Sequence, residues 1–229
     1  MSSSSSPGYS GIPSRIMLNS SKKLSPTLLN ICNYCIETGT IPAEWKYSIV
    51  MPLFENKGKS DDCNNYRGIS LLSPIAKMFE TLLAEQVSFY FESNQLFHPC
   101  QHGFRKNYLC ESALRQIISE LNDAKDKRLI SLLLFIYFQK VFDTVDSKLL
   151  LHKLFHFGFD NLSLKLITSY FQGRAQLVRL DNFLSSMQEI KLGVSQGSVF
   201  GPLLFLIFIN DPAFILALAC KLFADDTTL

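Results

Sequence analysis

The chain has 229 residues, 47% of them hydrophobic and 18% charged, with a formal net charge of +2 and an isoelectric point near 8.2. That composition is globular and excludes a disordered chain, and the length allows one sizeable core, roughly one to one and a half domains. So small an excess of positive charge does not establish nucleic-acid binding; a basic groove would have to be local.

Residues 1–12 are rich in Ser, Gly and Pro and are expected to form a mobile N-terminal segment. Ser25-Pro26 reads as a helix start, with Ser as cap and Pro in the first turn, and the helix runs to about Gly39. Strand formers fill 47–54, where Pro52 marks an edge strand. Residues 55–65 are polar and read as a loop. Pro74 opens a helix in which Ile75, Met78, Phe79, Leu82 and Leu83 recur at helical spacing up to about Phe91. A second amphipathic helix carries Ala113, Leu114, Ile117, Ile118 and Leu121. Residues 129–138 are nearly continuous in apolar side chains, as in a strand buried on both faces. Helices are expected at 147–157 and 161–171, strands near 175–181 and 186–192, a helix at 201–210 and an apolar strand at 219–223. Nineteen Phe against one Trp point to a Phe-rich core. There is no internal repeat, and the order of elements suggests an α+β or α/β architecture.

No membrane span is expected. The strongest apolar run, 203–209, is cut by Asn210, Asp211 and Pro212, whereas a span needs about 20 apolar residues. Met1 leads into a run of Ser with no apolar core, so an intracellular setting with reduced thiols is the default expectation for the six cysteines. Cys32 and Cys35 form one C-x-x-C without a second pair at comparable spacing; they are expected to pack on a helix.

The chemistry centres on Phe223-Ala224-Asp225-Asp226, which ends the last apolar strand and sets two carboxylates at a turn. Two-metal phosphoryl transfer needs carboxylates clustered around ions about 4 Å apart, and magnesium prefers oxygen ligands. Alone, an Asp-Asp pair more often marks an ordinary turn. Upstream stand Gly193-Val194-Ser195-Gln196-Gly197-Ser198 and Gly201-Pro202, alone no more than a glycine-rich strand-to-helix connection. Gly197 would let the backbone approach a ligand closely. Earlier come Lys140-Val141-Phe142-Asp143, Gln101-His102-Gly103-Phe104-Arg105-Lys106, Asn65-Tyr66-Arg67-Gly68, and, near the start, Pro7-Gly8 and Gly11-Ile12-Pro13.

In order and spacing this set resembles the reverse transcriptase domain of non-LTR (LINE-type) retrotransposons, from about residue 7 to the last residue. The resemblance implies an α+β fold: a polymerase palm, an RRM-like sheet with helices, joined to a helical fingers subdomain. It implies a fingers-like region at 13–128 and a partial palm at 129–229, truncated at the C-terminus, without a thumb. By ancestry the function is RNA-directed DNA polymerisation with two Mg²⁺ ions, an RNA template, a DNA primer and dNTP. Asp225 and Asp226 fall on the catalytic aspartates, Asp225 being the expected metal ligand. Arg67, Phe142, Gln196 and Gly197 fall on nucleotide-binding positions: Arg67 grips the triphosphate, where a planar multi-donor group suits phosphate, and Phe142 excludes a 2′-hydroxyl. Gln101, Phe104 and Arg105 fall in a segment associated with template contact, and Lys57 or Lys59 in a basic fingers loop. Cytoplasm or nucleus follows from the family's way of life alone.

The chain also departs from the pattern. Six residues before Asp143, where the family carries a metal-binding aspartate, stands Tyr137, and no Asp or Glu lies between Ser131 and Phe142. A phenol is neutral at pH 7 and a poor substitute for a bridging carboxylate; its ring would fill metal space. Val141 replaces a usual Ala, Ser195 a usual Pro and Ser10 a usual Asp. Tyr137 and the missing thumb, together with a missing returning strand after the Asp-Asp turn, imply lost polymerase activity. The rival expectations are a non-catalytic nucleic-acid-binding module and a functionless retroelement relic. His152 and His156 are spaced i, i+4, but Lys153 stands where a zincin needs Glu, so no metal is expected there.

Overall fold

The computed structural model describes residues 6–138, 140–215 and 220–228. In chain order the elements are α1 (Ser14–Asn19), α2 (Ser21–Thr38), β1 (Tyr47–Phe54), β2 (Tyr66–Leu72), α3 (Pro74–Ser93), α4 (Cys110–Asp126), β3 (Phe135–Tyr137), α5 (Ser147–His156), α6 (Asn161–Phe171), β4 (Ala175–Leu180), β5 (Phe183–Leu184), β6 (Gln188–Glu189), α7 (Gly201–Phe208), α8 (Pro212–Ile215), β7 (Lys221–Phe223) and β8 (Asp226–Thr228). The fold is α+β, as expected.

Local chemistry sets many of the boundaries. Ser73 Oγ accepts from the Ala76 amide ahead of Pro74, fixing the start of α3. The carboxylate of Asp146 accepts from the Lys148 and Leu149 amides, and that of Asp160 from the Ser163 amide, so α5 and α6 begin where a side-chain oxygen meets free N–H groups. Helix α2 stops at Gly39, in the left-handed region at φ 63°. Its start differs from expectation: the helix begins at Ser21 and contains Pro26. Proline removes the N–H that would bond the Lys22 carbonyl; Lys22 and Pro26 are both exposed, so that carbonyl is open to solvent.

Two sheets form. In the first the order is β2-β1-β4-β5, with β6 also on β4. β1 is therefore not an edge strand. It pairs antiparallel with β2 along its length but parallel with β4 only over Tyr47–Val50, so Pro52 falls where one side is already free of a ladder. Strand β2 was not expected from the sequence. The β1–β4 ladder joins the part of the chain before residue 129 to the part after it.

The second sheet has the order β3-β8-β7. Two expectations are corrected here. The returning strand after the Asp-Asp turn is present as β8, and it lies between β7 and β3. The run 129–138 is not a strand buried on both faces: only Phe135–Tyr137 are paired, and Ile130, Leu132, Phe135 and Tyr137 are exposed. A strand is buried on both faces only when elements cover both, and β3 pairs on one side alone among the described residues.

Of the segment expected to be mobile, residues 8–10 pack against the first sheet; residues 1–5 lie outside the described residues, as does the 219 end of the strand expected at 219–223. A Cβ on Gly8 would lie 2.5 Å from the Leu72 carbonyl oxygen, and Tyr9 meets Tyr47 edge to face. The main core gathers Phe79 and Phe91 of α3, Leu150 and Leu154 of α5, Ile167 of α6, and Leu204 to Ile207 of α7 around Phe200. Burying each large side chain contributes about 1.5–3 kcal/mol. Cys32 and Cys35 join this core from α2 as free thiols raised above their ordinary pKa by burial. Among the described residues no helix is long and apolar enough to cross a membrane.

Candidate active site

The Asp-Asp turn closes the β7–β8 hairpin. Phe223 pairs with Asp226, leaving Ala224 and Asp225 as the two central residues. Ala224 has φ 57°, a left-handed conformation that costs an L residue about 1–2 kcal/mol and that hairpin loops of this length usually give to glycine. It persists because neighbours hold it. The Gln101 side-chain oxygen accepts from the Ala224 amide (3.3 Å) and from the Gly103 amide (2.8 Å). Gln101 also bridges Leu222 in parallel, with the His102 amide donating to the Leu222 carbonyl and the Leu222 amide to that of Cys100. A Cβ on Gly103 would collide with the Ala224 amide nitrogen. Only glycine lets the 101–103 strap lie this close to the turn.

Across the sheet, Tyr137 is registered opposite Asp226. Directly paired residues project to the same face, so Tyr137, Asp226 and Phe223 share one face, and alternation puts Leu222 and Thr227 on the other. The latter two are buried, while Tyr137 is 66% exposed and Asp226 is exposed. The open face thus carries a phenol where a second strand-borne carboxylate is expected, and Asp226 is the aspartate in register with it. Asp225, half-buried, occupies the turn itself.

The remaining expected residues fall into two groups. Phe142 lies in a short turn, 141–143, with its ring against Phe205 (4.8 Å) and edge to face with exposed Phe104 (6.2 Å). The segment 193–197 docks beside it: the Val194 amide donates to the Phe142 carbonyl (2.7 Å), and a Cβ on Gly193 would meet that same oxygen at 2.7 Å. Further along, the Ser70 amide of β2 donates to the Gln196 carbonyl (2.6 Å), and Gly197, at φ 99°, leaves no room for a Cβ beside the Ser70 carbonyl. Gln196 and Gly197 are thereby fixed to the strand that carries Arg67. Arg67 is exposed and paired with Glu55 at 2.9 Å; Lys57, Lys59 and Lys106 are exposed too.

Gln101 and Arg105, expected in a segment associated with template contact, have their side chains held within the fold. Gln101 is fully buried. Arg105 grips both oxygens of Glu92 (2.8 and 2.6 Å), donates to the His98 and Gln101 carbonyls, and stacks over Tyr108 (4.1 Å). Its donors are turned into the fold, where they shape the strap that holds the turn. His152 and His156 touch each other on exposed α5 with no third ligand nearby among the described residues.

Sequence reasoning missed the polar cluster that supports the 193–198 segment. Glu80 is buried on the apolar face of α3. One carboxylate oxygen accepts from the Val199 (2.7 Å) and Phe200 (3.3 Å) amides, the other from the Tyr170 hydroxyl (3.0 Å). Burial raises the Glu80 carboxyl above its ordinary value, opposed by those hydrogen bonds and by Arg174. Arg174, also buried, donates to the Gly193 carbonyl and to Ser195 Oγ. The signal was present as a lone acid on the Ala76-Phe79-Leu83 face of α3, but its partners lie about a hundred residues away.

A likeness in fold comes first. Telomerase from Candida tropicalis, in its apo form truncated from the C-terminal domain, superposes with a TM-score of 0.59 at 11% identity, covering 82% of this chain and 44% of that one. At such identity the likeness concerns the fold alone: the palm and fingers arrangement of a polymerase. The profile of the family described as reverse transcriptase (RNA-dependent DNA polymerase) matches residues 56–229. The chain belongs to that family. Relatives in Drosophila melanogaster include the probable RNA-directed DNA polymerase from transposon X-element, 28% identical across 79% of this chain, and the putative 115 kDa protein in type-1 retrotransposable element R1DM, 29% identical across 98%. The RNA-directed DNA polymerase from mobile element jockey of Drosophila funebris is 32% identical across 80%. The expected kinship with non-LTR retrotransposon reverse transcriptases is borne out. The chain spans about a fifth of the length of these relatives.

Proposed function

We propose that this chain is a reverse transcriptase domain that retains a nucleic-acid-facing scaffold and has lost metal-dependent nucleotidyl transfer. The reading rests on Tyr137 standing opposite Asp226 on the open face of the β3-β8-β7 sheet. Members of the family use divalent metals, and two Mg²⁺ ions would need carboxylates converging from more than one strand. Here Asp225 and Asp226 come from one turn and the facing strand offers a phenol. This donor set does not fit a magnesium pair.

For binding, Arg67, Lys57, Lys59 and Lys106 are exposed cations in the region 13–128, which we assign to the fingers; 129–229 is assigned to the palm. Phe142, Gln196 and Gly197 line the nucleotide side in this reading, with Phe104 as an exposed aromatic for base stacking. The partner is an RNA template or RNA–DNA duplex, held through phosphates without strong sequence preference.

Primer extension on an RNA template with Mg²⁺ and dNTP tests the loss. The expected result is no product above that of Asp225→Ala. Robust extension that Asp225→Ala abolishes would overturn it.

A further inference from the structure

A cluster of two thiols and an imidazole lies away from the Asp-Asp turn. His98, Cys100 and Cys220 each bring a ligand atom to within 4.8 Å of the others. Cys220 is buried; His98 and Cys100 are half-buried. Imidazole with two thiolates is a soft donor set of the kind that selects zinc. Tetrahedral zinc with Zn–S of about 2.3 Å and Zn–N of about 2.0 Å sets its ligand atoms roughly 3.5–3.8 Å apart. The cluster needs a contraction of roughly 1.0–1.3 Å at most, within reach of side-chain rotation.

The surroundings suit the ion. The Cys100 amide donates to His98 Nδ1 (3.2 Å), so that nitrogen carries the lone pair of the neutral imidazole, and an ion bound there takes the place of this hydrogen bond. The loop is fixed by Asn210, whose side chain accepts from the His98 amide and donates to the Leu96 carbonyl. Lys221 Nζ stands 4.0 Å from Cys100 Sγ and is paired with Glu120 at 2.8 Å. Two thiolates and a neutral imidazole cancel the charge of Zn²⁺, and the Lys221–Glu120 pair is itself neutral. The ammonium can donate to the metal-bound sulfur, as outer-shell groups commonly do.

We propose that His98, Cys100 and Cys220 form a binding site for a single Zn²⁺ ion that fastens the root of β7 to the strap carrying Gln101. The three ligands come from the two stretches that the Gln101–Leu222 bridge already joins. An ion there closes the far end of the ladder whose near end holds Ala224. The site supplies three protein ligands and leaves the fourth position to water on its half-buried side.

The full chain, purified in reductant with zinc, is tested by metal analysis after gel filtration and by cobalt substitution. We expect about one equivalent of zinc, and with Co²⁺ the thiolate charge-transfer and visible bands of a tetrahedral sulfur site. Cys100→Ser and Cys220→Ser abolish both signals; Cys63→Ser and Cys110→Ser, at exposed cysteines outside the cluster, leave them intact. Should a cluster variant fail to fold, alkylation of the wild-type chain decides: zinc should protect Cys100 and Cys220, and a chelator should expose Cys100 first. Zinc at background level, Co²⁺ bands that survive Cys220→Ser, or zinc protection at Cys63 and Cys110 alone would each overturn the proposal. So would a Cys100–Cys220 disulfide formed in place of metal binding under these reducing conditions.

Discussion

Tyr137 on β3 stands directly opposite Asp226 on β8, and both side chains lie on the face of the sheet that is open to solvent. Whatever binds that face meets a bulky neutral ring beside a carboxylate. The same ladder shows why the second aspartate of the turn, and not the first, is the one in register with β3.

The strap that holds the turn makes a stability prediction. Gln101→Met keeps the side-chain volume but removes the acceptor for the Gly103 and Ala224 amides, which are buried. Leaving buried donors unpaired costs about 1–3 kcal/mol each. We expect a loss of about 2–4 kcal/mol, read as a lower urea midpoint without a change in slope. An unchanged midpoint would mean that the turn holds itself.

Gly103→Ala tests the close approach from the other side. The added methyl collides with backbone, not with a flexible side chain, and overpacking of this kind costs about 1–3 kcal/mol. Loss of amide protection should be concentrated in β7, β8 and 100–103, measured by hydrogen exchange. Protection lost evenly over the fold would contradict the account.

Arg67 and Arg105 should separate cleanly. Arg105 is buried against Glu92, and breaking such a pair costs about 3–5 kcal/mol. Arg67 is mostly exposed, and its pair with Glu55 contributes about 0–1 kcal/mol. Arg67→Ala should leave stability almost untouched and weaken RNA binding, lowering the salt slope by about one unit. Arg105→Ala should do the reverse. Binding by the wild-type chain that ignores salt between about 50 and 200 mM would remove the phosphate-contact reading altogether.

Glu80 predicts a pH dependence. Its carboxyl is raised in the fold, chiefly by burial. A group raised on folding contributes stability that is fully present below its unfolded value, near pH 4.3, and lost as pH rises through the folded value. The stability of the wild type minus that of Glu80→Gln should therefore be largest at low pH and shrink as pH rises. A difference that grows with pH would show that the carboxylate is favoured on folding, its hydrogen bonds and Arg174 outweighing burial.

Much of this was legible in the sequence because it is local. The helices α3, α5 and α6 stand where they are expected, and in the fold the side chains of Ser73, Asp146 and Asp160 cap their first amides. The Asp-Asp hairpin and the 193–197 segment were readable as short motifs in a fixed order. What failed was what depends on distant partners. The run 129–138 has the composition of an interior strand, but burial depends on what covers it, and composition carries no information about that. Pro52 marked an edge correctly for its own end of β1 and wrongly for the other, because β4 arrives more than a hundred residues later. Arg105 belongs to a motif associated with template contact, and its contacts with Glu92 and Tyr108 are not readable from that motif. Glu80, Tyr170 and Arg174 are scattered over three segments and meet only in the fold.

The central claim is that the Asp-Asp turn lacks the ligand set for a metal pair, and Mn²⁺ binding followed by electron paramagnetic resonance tests it without requiring turnover. The account predicts weak binding by the wild type, little changed by Asp225→Ala. Tyr137→Asp should tighten binding at least about tenfold, equivalent to about 1.4 kcal/mol, and Asp225→Ala in that background should reverse the gain. Binding by the wild type of two spin-coupled Mn²⁺ ions, abolished by Asp225→Ala and no tighter in Tyr137→Asp, would contradict it.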